Sequence, residues 1–314
     1  MVRHGAVLIL SLALFAGMTP VSPASPALAQ IAYSVRSDGP SPSQDDILYS
    51  IDLQTGKATR IGEGVGFEDV ESLTFDPGCH TLYGVDDATD QLVTCDVEDG
   101  TCTAVGPLGV NITDTGLAFG PEGILYMSTD APKRPTNFYR ITVKTGKAIL
   151  LGDQGQEVTG LAGNRSGIYG LGGDGMSNLV KMDLPAGKAV KIGPLKNVTL
   201  VDGGLDFDAE NALWGIHDGS VGRVGYSQTF KIDTSTGVAT VVAAVKDAVT
   251  DANLDGFEGL AIADGACKNL FPPPPSVGGG GGGVQEVPAL GTWGLAALAL
   301  ILTTLGVLAL RRRS

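Results

Sequence analysis

The chain has 314 residues, a formal net charge of −13 at pH 7 and four cysteines. Four of its 21 Lys and Arg residues and one of its 34 Asp and Glu residues lie outside residues 30–271, which therefore carry about −16. A surface this acidic repels nucleic acid and anionic lipid, so we expect neither as a partner. It attracts cations instead.

Residues 1–29 have the composition of a secretory signal peptide. Arg3 precedes an apolar run over residues 6–18, and the triplet Ala27-Leu28-Ala29 matches a small-residue cleavage site before Gln30. The apolar run is too short to span a bilayer well, although a retained anchor is the alternative reading. We therefore expect an exported chain that begins at Gln30.

A hairpin pattern follows, and its five copies align without a gap. Each copy contains an apolar strand, a polar turn with a glycine, and a second strand. A fixed glycine supplies the positive φ that such turns need. The copies are residues 48–62, 92–106, 138–152, 179–193 and 229–243.

A second strand–turn–strand unit alternates with the hairpin, at residues 72–85, 116–128, 160–171 and 204–216. Its fifth copy is split: residues 259–270 hold the first strand and the turn, and residues 31–35 hold the missing strand. Repeats of four short strands are typical of propeller blades. We predict an all-β fold over residues 30–271, a five-bladed β-propeller of four-stranded antiparallel blades closed by pairing N-terminal strands with the C-terminal strand. An open β-solenoid would also repeat, but the split copy argues against it.

An aromatic residue occupies the second strand of every predicted blade, and we expect it to pack between blades as part of the core. These residues are Tyr33, Tyr83, Tyr126, Tyr169 and Trp214.

The blade pattern "GLAF-x-P-x-x-LY…LY-x-ID-x-x-TG-x-x-T-x-IG" resembles that of extracellular β-propellers and covers essentially all of residues 30–271. The resemblance implies the fold more than the activity, because propellers of this kind serve in binding, scaffolding and hydrolysis alike.

Four cysteines in an exported chain predict disulfides rather than four free buried thiols. Cys95 and Cys102 face each other across one hairpin. Cys79 and Cys267 fall in equivalent turns of blades that are neighbours in a closed ring, so a Cys79–Cys267 bond would lock the closure.

Carboxylates cluster where the innermost strand of each blade begins, and facing carboxylates repel unless a cation or protons intervene. We predict a Ca²⁺ or Mg²⁺ site at the channel mouth, the alternative being a solvated acidic rim. The residues are Glu68, Asp69, Glu71, Asp114, Glu157, Asp202, Asp255 and Glu258.

The segment "DANLDGFE" places Asp251, Asn253, Asp255 and Gly256 in the order of the first half of a calcium loop. No glutamate stands at the twelfth position, so this is not an EF-hand, and an Asx turn without metal is the alternative. The predicted metal ligands are Asp251, Asn253, Asp255, Glu258, Glu71 and Asp69.

Long, irregular loops are expected on the same face as the carboxylates, and function concentrates on such loops. They are residues 36–46, 86–91, 128–137, 171–178 and 217–228. His217, next to Asp218, is the one candidate for a catalytic base. No G-x-S-x-G motif occurs in the sequence.

Residues 272–286 are rich in proline and glycine and predict a linker. From Trp293 to Leu310 there are 18 residues without a charge, followed by Arg311, Arg312 and Arg313. This predicts a transmembrane helix with its arginines in the cytoplasm, the chain's only membrane contact.

The pattern Val287-Pro288-Ala289-Leu290, then Trp293-Gly294, an apolar span and an arginine cluster, resembles the IPTL-CTERM sorting signal of bacterial surface proteins. Residues 287–314 carry this resemblance, with Ala289 where threonine is usual. It implies a Gram-negative cell envelope and a sorting or processing protease as partner. An ordinary C-terminal anchor is the alternative.

The sequence therefore predicts an exported, surface-anchored propeller that binds or scaffolds, with a glycan, a protein or a cation as ligand. The alternative is a Ca²⁺-dependent hydrolase of the lactonase or phosphoesterase type that uses the carboxylates at the channel mouth. A third option is a propeller without a ligand that spaces other domains.

Overall fold

The computed structural model describes residues 30–36, 46–130, 136–173, 176–219 and 224–263. The described residues form strands and turns and no helix. The strands are β1 (Ile31–Arg36), β2 (Ile47–Asp52), β3 (Lys57–Ile61), β4 (Val70–Phe75), β5 (Leu82–Asp86), β6 (Gln91–Cys95), β7 (Cys102–Pro107), β8 (Thr115–Phe119), β9 (Leu125–Thr129), β10 (Asn137–Ile141), β11 (Ala148–Asp153), β12 (Gly160–Asn164), β13 (Gly167–Gly172), β14 (Asn178–Asp183), β15 (Lys188–Pro194), β16 (Gly203–Phe207), β17 (Leu213–His217), β18 (Gln228–Ile232), β19 (Ala239–Ala244), β20 (Lys246–Asp247) and β21 (Phe257–Ile262).

The strands form five antiparallel blades, which confirms the predicted fold class. Four blades are consecutive in the chain: β4–β7, β8–β11, β12–β15 and β16–β19. The fifth has the order β21-β1-β2-β3, with the short β20 added in parallel beside β3. The innermost strands β4, β8, β12, β16 and β21 contact one another in a closed circuit.

The predicted closure of the ring is also confirmed. Strands β1 and β21 pair antiparallel, from Ala32 opposite Ile262 to Arg36 opposite Phe257. The buried Ser34 hydroxyl donates to the Gly259 carbonyl at 2.7 Å, across 225 residues of sequence. This blade therefore joins the two ends of the propeller.

The five innermost strands approach one another most closely around the ring axis, where four glycines and a serine occupy equivalent positions. A Cβ atom on Gly204 would lie 2.2 Å from the carbonyl carbon of Gly259, and one on Gly116 would lie 2.7 Å from that of Gly160. The space between these strands does not admit a water molecule. The close approach of neighbouring backbones thus requires the glycine of each repeated "GL" pair. The five residues are Ser72, Gly116, Gly160, Gly204 and Gly259.

Three of the five repeated aromatics pack edge-on against a phenylalanine of the next blade, as predicted. The ring-centroid distances are 5.8 Å for Tyr33–Phe75, 5.7 Å for Tyr83–Phe119 and 5.5 Å for Tyr169–Phe207. The other two differ because the next blade offers no phenylalanine there.

Gly163 stands at the position that phenylalanine holds in other blades, and Tyr126 stacks instead on Phe138 of its own blade at 5.6 Å. Trp214 is fully buried, and its indole N–H donates to Asp208 at 2.8 Å. All five aromatics belong to the packing of the ring, which agrees with the predicted core role.

Cys95 and Cys102 form a disulfide between β6 and β7, as predicted, with their Cα atoms 4.0 Å apart. The two residues are opposite each other in the strand register. Cys79 is also disulfide-bonded. Its predicted partner, Cys267, lies outside the described residues, so that pairing remains a prediction.

Removing the Cys95–Cys102 bond is expected to have a moderate effect, because the bond closes a loop of only seven residues in sequence separation. On the chain-entropy account, the C95A/C102A double variant should lose about 2 kcal/mol of unfolding free energy and keep its fold. Urea denaturation with both proteins kept oxidised measures this. A loss as large as that from a cavity in the core would contradict the account.

The predicted signal peptide, linker, transmembrane helix and sorting signal fall in residues 1–29 and 264–314, outside the described residues. Within the described ranges, no helix has the length and apolar character needed to cross a membrane. Parts of the long loops also lie outside, namely residues 37–45, 131–135, 174–175 and 220–223.

Candidate metal centre

The innermost strands all begin on the same face of the ring, because every blade runs outward from its first strand and the chain returns to the axis on that face. Glu71 lies in β4 and Glu258 in β21, while Asp114 and Asp202 directly precede β8 and β16. The alternation of the blades therefore brings together side chains that are far apart in sequence.

Glu71 is the centre of this acidic group. One oxygen each of Glu71, Asp114 and Asp202 lie within 4.8 Å of one another. The Glu71 carboxylate also forms such a set with Asp69 and Asp87. Glu71 is 5% exposed and Asp202 is 8% exposed, while Asp69, Asp87 and Asp114 are half-buried. Five carboxylates thus surround one small region at the end of the ring axis, where the channel mouth was predicted.

The Oε2 atom of Glu71 is buried and has no hydrogen-bond partner among the described residues. A buried carboxylate oxygen without a partner is costly, so it needs an explanation such as an ion. Oxygen ligands lie about 2.3–2.6 Å from Ca²⁺, so two ligands of one ion are separated by at most about 5 Å. The residues present therefore fit a divalent cation.

Burial and mutual repulsion change the protonation of these groups. Burial, and then the charge of Asp114, raises the pKa of Asp202 to about 8. Burial, and then hydrogen bonding and repulsion from Asp69, raises the pKa of Asp87 to about 8. Burial, followed by the charge of Glu258, also raises the pKa of Glu71 well above its ordinary value. A bound cation would favour the ionised forms and reverse these shifts.

The backbone around Glu71 is fixed by neighbouring acidic side chains. The buried Asp46 carboxylate accepts from the Val70 amide at 2.7 Å, and Asp86 accepts from the Asp69 amide at 3.1 Å. Asp114 has a φ of 34°, which is uncommon for a residue with a side chain. Strained backbone of this kind often occurs at functional sites.

The structure thus brings together two of the six predicted ligands, Glu71 and Asp69, with Asp114 and Asp202 from the predicted carboxylate ring. Glu258 lies close enough that Asp202 and Asp46, after burial, raise its pKa, but it belongs to neither set of three. Glu68 is exposed and Glu157 is half-buried, and both stand outside the two sets.

Asp87 was not among the predicted ligands. One feature of the sequence could have identified Asp87 as a ligand. It lies in the β5–β6 turn, beside Asp86, and that turn is on the face where the innermost strands begin. Aspartate is common in turns, however, and this obscures a ligand role.

The predicted calcium loop lies apart from these two sets. Asp251 forms an exposed ion pair with Lys246 at 3.2 Å, and Asp255 accepts from Arg36 at 3.1 Å. Asn253 pairs through its backbone with Lys246. Neither Asp251 nor Asp255 is part of a convergent acidic set within the described residues.

His217 ends β17 on the same face and is 6% exposed. Burial lowers its pKa, and its Nε2 atom lies 3.4 Å from the Gln228 Oε1 atom. The imidazole is therefore neutral at neutral pH, and a neutral imidazole can accept a proton.

Residues 72–162 match a family model. Its description is "Domain of unknown function (DUF4394)". The matched segment contains Asp87 and Asp114 and spans less than a third of the chain. The comparison with curated proteins gave no match.

Two solved structures are similar to this chain at low identity. One, described as the crystal structure of a nidogen/laminin complex, has 12% identity and a TM-score of 0.45, covering 69% of this chain and 77% of its own. The other, TolB from Acinetobacter baumannii, has 11% identity and a TM-score of 0.47, covering 75% of this chain and 66% of its own.

Proposed function

We propose that this chain is a cation-binding propeller that acts as a binding or scaffolding module on the outside of a bacterial cell. The observation that carries the proposal is the buried Glu71 carboxylate, which has an unpartnered oxygen and converges with Asp114 and Asp202. The β-propeller fold supports a binding or scaffolding module at the coarse level.

Calcium is the cation that the site fits best. Every candidate ligand is a carboxylate oxygen, and hard cations prefer oxygen ligands. The ligands come from loops and strand ends of three blades, which suits the variable coordination of Ca²⁺ better than the strict octahedron of Mg²⁺. Thiolates are not available here, since Cys79, Cys95 and Cys102 are disulfide-bonded.

A bound cation would place positive charge at the mouth of an otherwise acidic propeller. A ligand with a carboxylate, sulfate or phosphate group could then reach a site from which the free protein would repel it. Acidic glycans and acidic protein segments carry such groups. Export through the signal peptide and display on the linker and C-terminal helix complete the proposal and would hold the module at the envelope.

A Ca²⁺-dependent hydrolase of the lactonase or phosphoesterase type is the second candidate, and the convergence of the carboxylates favours it. A cation bound there supplies Lewis-acid chemistry towards a carbonyl or phosphoryl oxygen. The neutral His217, on the same face, is the residue that could accept a proton. Lactone and phosphoester hydrolysis with and without Ca²⁺ tests this candidate, and H217A should then remove the activity without removing Ca²⁺ binding.

Calorimetric titration of the full-length chain with Ca²⁺ tests the binding site itself. We expect a dissociation constant between about 10⁻⁶ and 10⁻³ M, with a matching rise in melting temperature. Glu71→Gln should weaken binding by at least about tenfold, because it removes the central charge.

Asp251→Asn is the matched control for charge, since Asp251 is an exposed residue paired with Lys246. It should bind Ca²⁺ like the parent protein. The site would be refuted by an absence of heat and of thermal shift up to about 10 mM Ca²⁺, a concentration above that needed by weak extracellular sites. If Asp251→Asn weakens Ca²⁺ binding and Glu71→Gln does not, the Ca²⁺ site is the "DANLDGFE" loop instead.

A further inference from the structure

Glu71 belongs to two different sets of converging carboxylates rather than one. Its first set contains Asp114 and Asp202, and its second contains Asp69 and Asp87. These partners come from different elements: Asp69 precedes β4 in the same blade, Asp87 follows β5, and Asp114 and Asp202 precede the innermost strands of two other blades. The two sets therefore share only the Glu71 side chain.

We propose that the channel mouth holds a two-cation centre, in which Glu71 bridges one ion bound by Asp114 and Asp202 and a second ion bound by Asp69 and Asp87. This inference rests on the proposed function, since it assumes that the first position is a real cation site. It adds the second position, its ligands and its linkage to the first.

The number of charges favours two ions. When cation binding ionises all five carboxylates they carry −5, and one divalent cation would leave −3 in a largely buried region. A second divalent cation reduces this to −1. Glu258 adds to the negative charge of this region. Its carboxylate repels that of Glu71, and the Asp202 carboxylate repels that of Glu258. Several buried like charges are stable only with matching counter-charge or protons.

The second position is also held in place without an ion. The Asp87 amide donates to the Asp69 carbonyl at 2.9 Å, and the Asp69 amide donates to the Asp86 carboxylate at 3.1 Å. Asp86 is fully buried and also accepts from the Thr89 amide at 3.0 Å. The turn after β5 and the segment before β4 are thus tied to each other. Binding therefore costs little ordering of the chain.

The unpartnered oxygen of Glu71 supports the bridging role. Hydrogen bonds satisfy the neighbouring Asp46, Asp86 and Asp202 carboxylates at least in part. Glu71 is 95% buried, and although its side chain shares a hydrogen bond with Asp202, its Oε2 atom has no hydrogen-bond partner among the described residues. A carboxylate that binds one ion through each oxygen would use both of its oxygens.

The number of bound ions tests the proposal. Equilibrium dialysis of the full-length chain against Ca²⁺, with the metal measured by atomic absorption, should give two ions per chain. With Mn²⁺ as the probe, electron paramagnetic resonance should show a spin-coupled pair, since a shared carboxylate places the two ions close together.

Single substitutions separate the two positions. Asp87→Asn and Asp202→Asn should each leave one ion per chain and abolish the spin coupling, whereas Glu71→Gln should weaken both positions by at least about tenfold. Asp251→Asn should keep two ions and serves as the control. Melting curves establish that each variant is folded.

The outcomes distinguish this proposal from the proposed function. One ion in the parent protein, unaffected by Asp87→Asn, would overturn the second position and leave the first intact. Two ions in Asp87→Asn would remove Asp87 as a ligand and overturn the proposal. Loss of only one ion in Glu71→Gln would overturn the bridge. No bound ion in the parent protein would overturn both the proposal and the proposed function.

Discussion

Replacing Gly204 by alanine should destabilise the propeller by about 3 kcal/mol, which is a large effect for one methyl group. The added Cβ atom would lie 2.2 Å from the carbonyl carbon of Gly259 and 2.3 Å from the Leu260 amide nitrogen. Both are backbone atoms of the neighbouring innermost strand, so no side chain can rotate to make room. Relief requires moving two strands of the central ring, and urea denaturation measures the loss.

Gly66→Ala is the matched control for this substitution. Gly66 has a φ of 82°, and a Cβ atom there would meet nothing within 4 Å. It should therefore cost only the penalty of a left-handed residue, about 1–2 kcal/mol. If both variants lose the same stability, backbone conformation rather than close approach at the axis governs the effect, and the role given to the axial glycines is wrong.

The metal-free protein should become less stable as the pH rises from 6.5 to 8.5. The pKa values of Asp87 and Asp202 are raised from an ordinary 3.8 to about 8, and that of Asp206 to about 7. The folded protein then binds more protons than the unfolded chain in this window. The stability that these groups contribute is complete below their ordinary pKa and is lost as the pH passes through 7 and 8.

This trend should lower the melting temperature in chelator by about 5 °C or more across the window. Between pH 6.5 and 8.5, residues whose contribution to stability changes with pH in the opposite direction have little effect. Asp99, Asp233 and Asp247 have lowered pKa values and are already ionised above pH 6.5 in both states. Burial lowers the pKa of His217, so its opposite contribution falls mainly below the ordinary value of 6.5.

Calcium should remove most of this pH dependence, because a bound cation ionises Asp202 and Asp87 at lower pH. Glu71→Gln should also reduce it, and should raise the stability of the metal-free protein at pH 8.5 by removing one repelling charge. A melting temperature in chelator that rises between pH 6.5 and 8.5 would contradict the protonation states assigned to the cluster.

The fold was predictable because each repeat contains the local sequence signals for its own strands and turns. The hairpin glycines, such as Gly100 with a φ of 80°, specify the turns, and the split copy specifies how the ring closes. The Cys95–Cys102 bond followed from the hairpin register in the same way. What the sequence did not show was why the "GL" glycines recur, since their close contacts are between blades rather than within them.

The candidate site was predictable in location but only partly in composition. Glu71 and Asp202 were expected at the mouth because they fall at the start of innermost strands. Which carboxylates converge depends on the rotation of each blade about the ring, and no local pattern encodes that rotation. Asp251 and Asp255 illustrate the limit, because their spacing suits calcium while Lys246 and Arg36 contact them in the fold.

The strand that completes the ring is also the last of the described strands in the chain. Ser34 and Glu258 lie 224 residues apart in sequence and meet only when β21 joins β1. Until then, β1 has an unpaired edge, and the Glu258 charge is absent from the region beside the acidic cluster. The five-carboxylate cluster around Glu71 lies against that final strand. A chain therefore acquires the Glu258 charge beside its acidic cluster in the same step in which β1 loses its unpaired edge, and tight cation binding would report that the ring has closed.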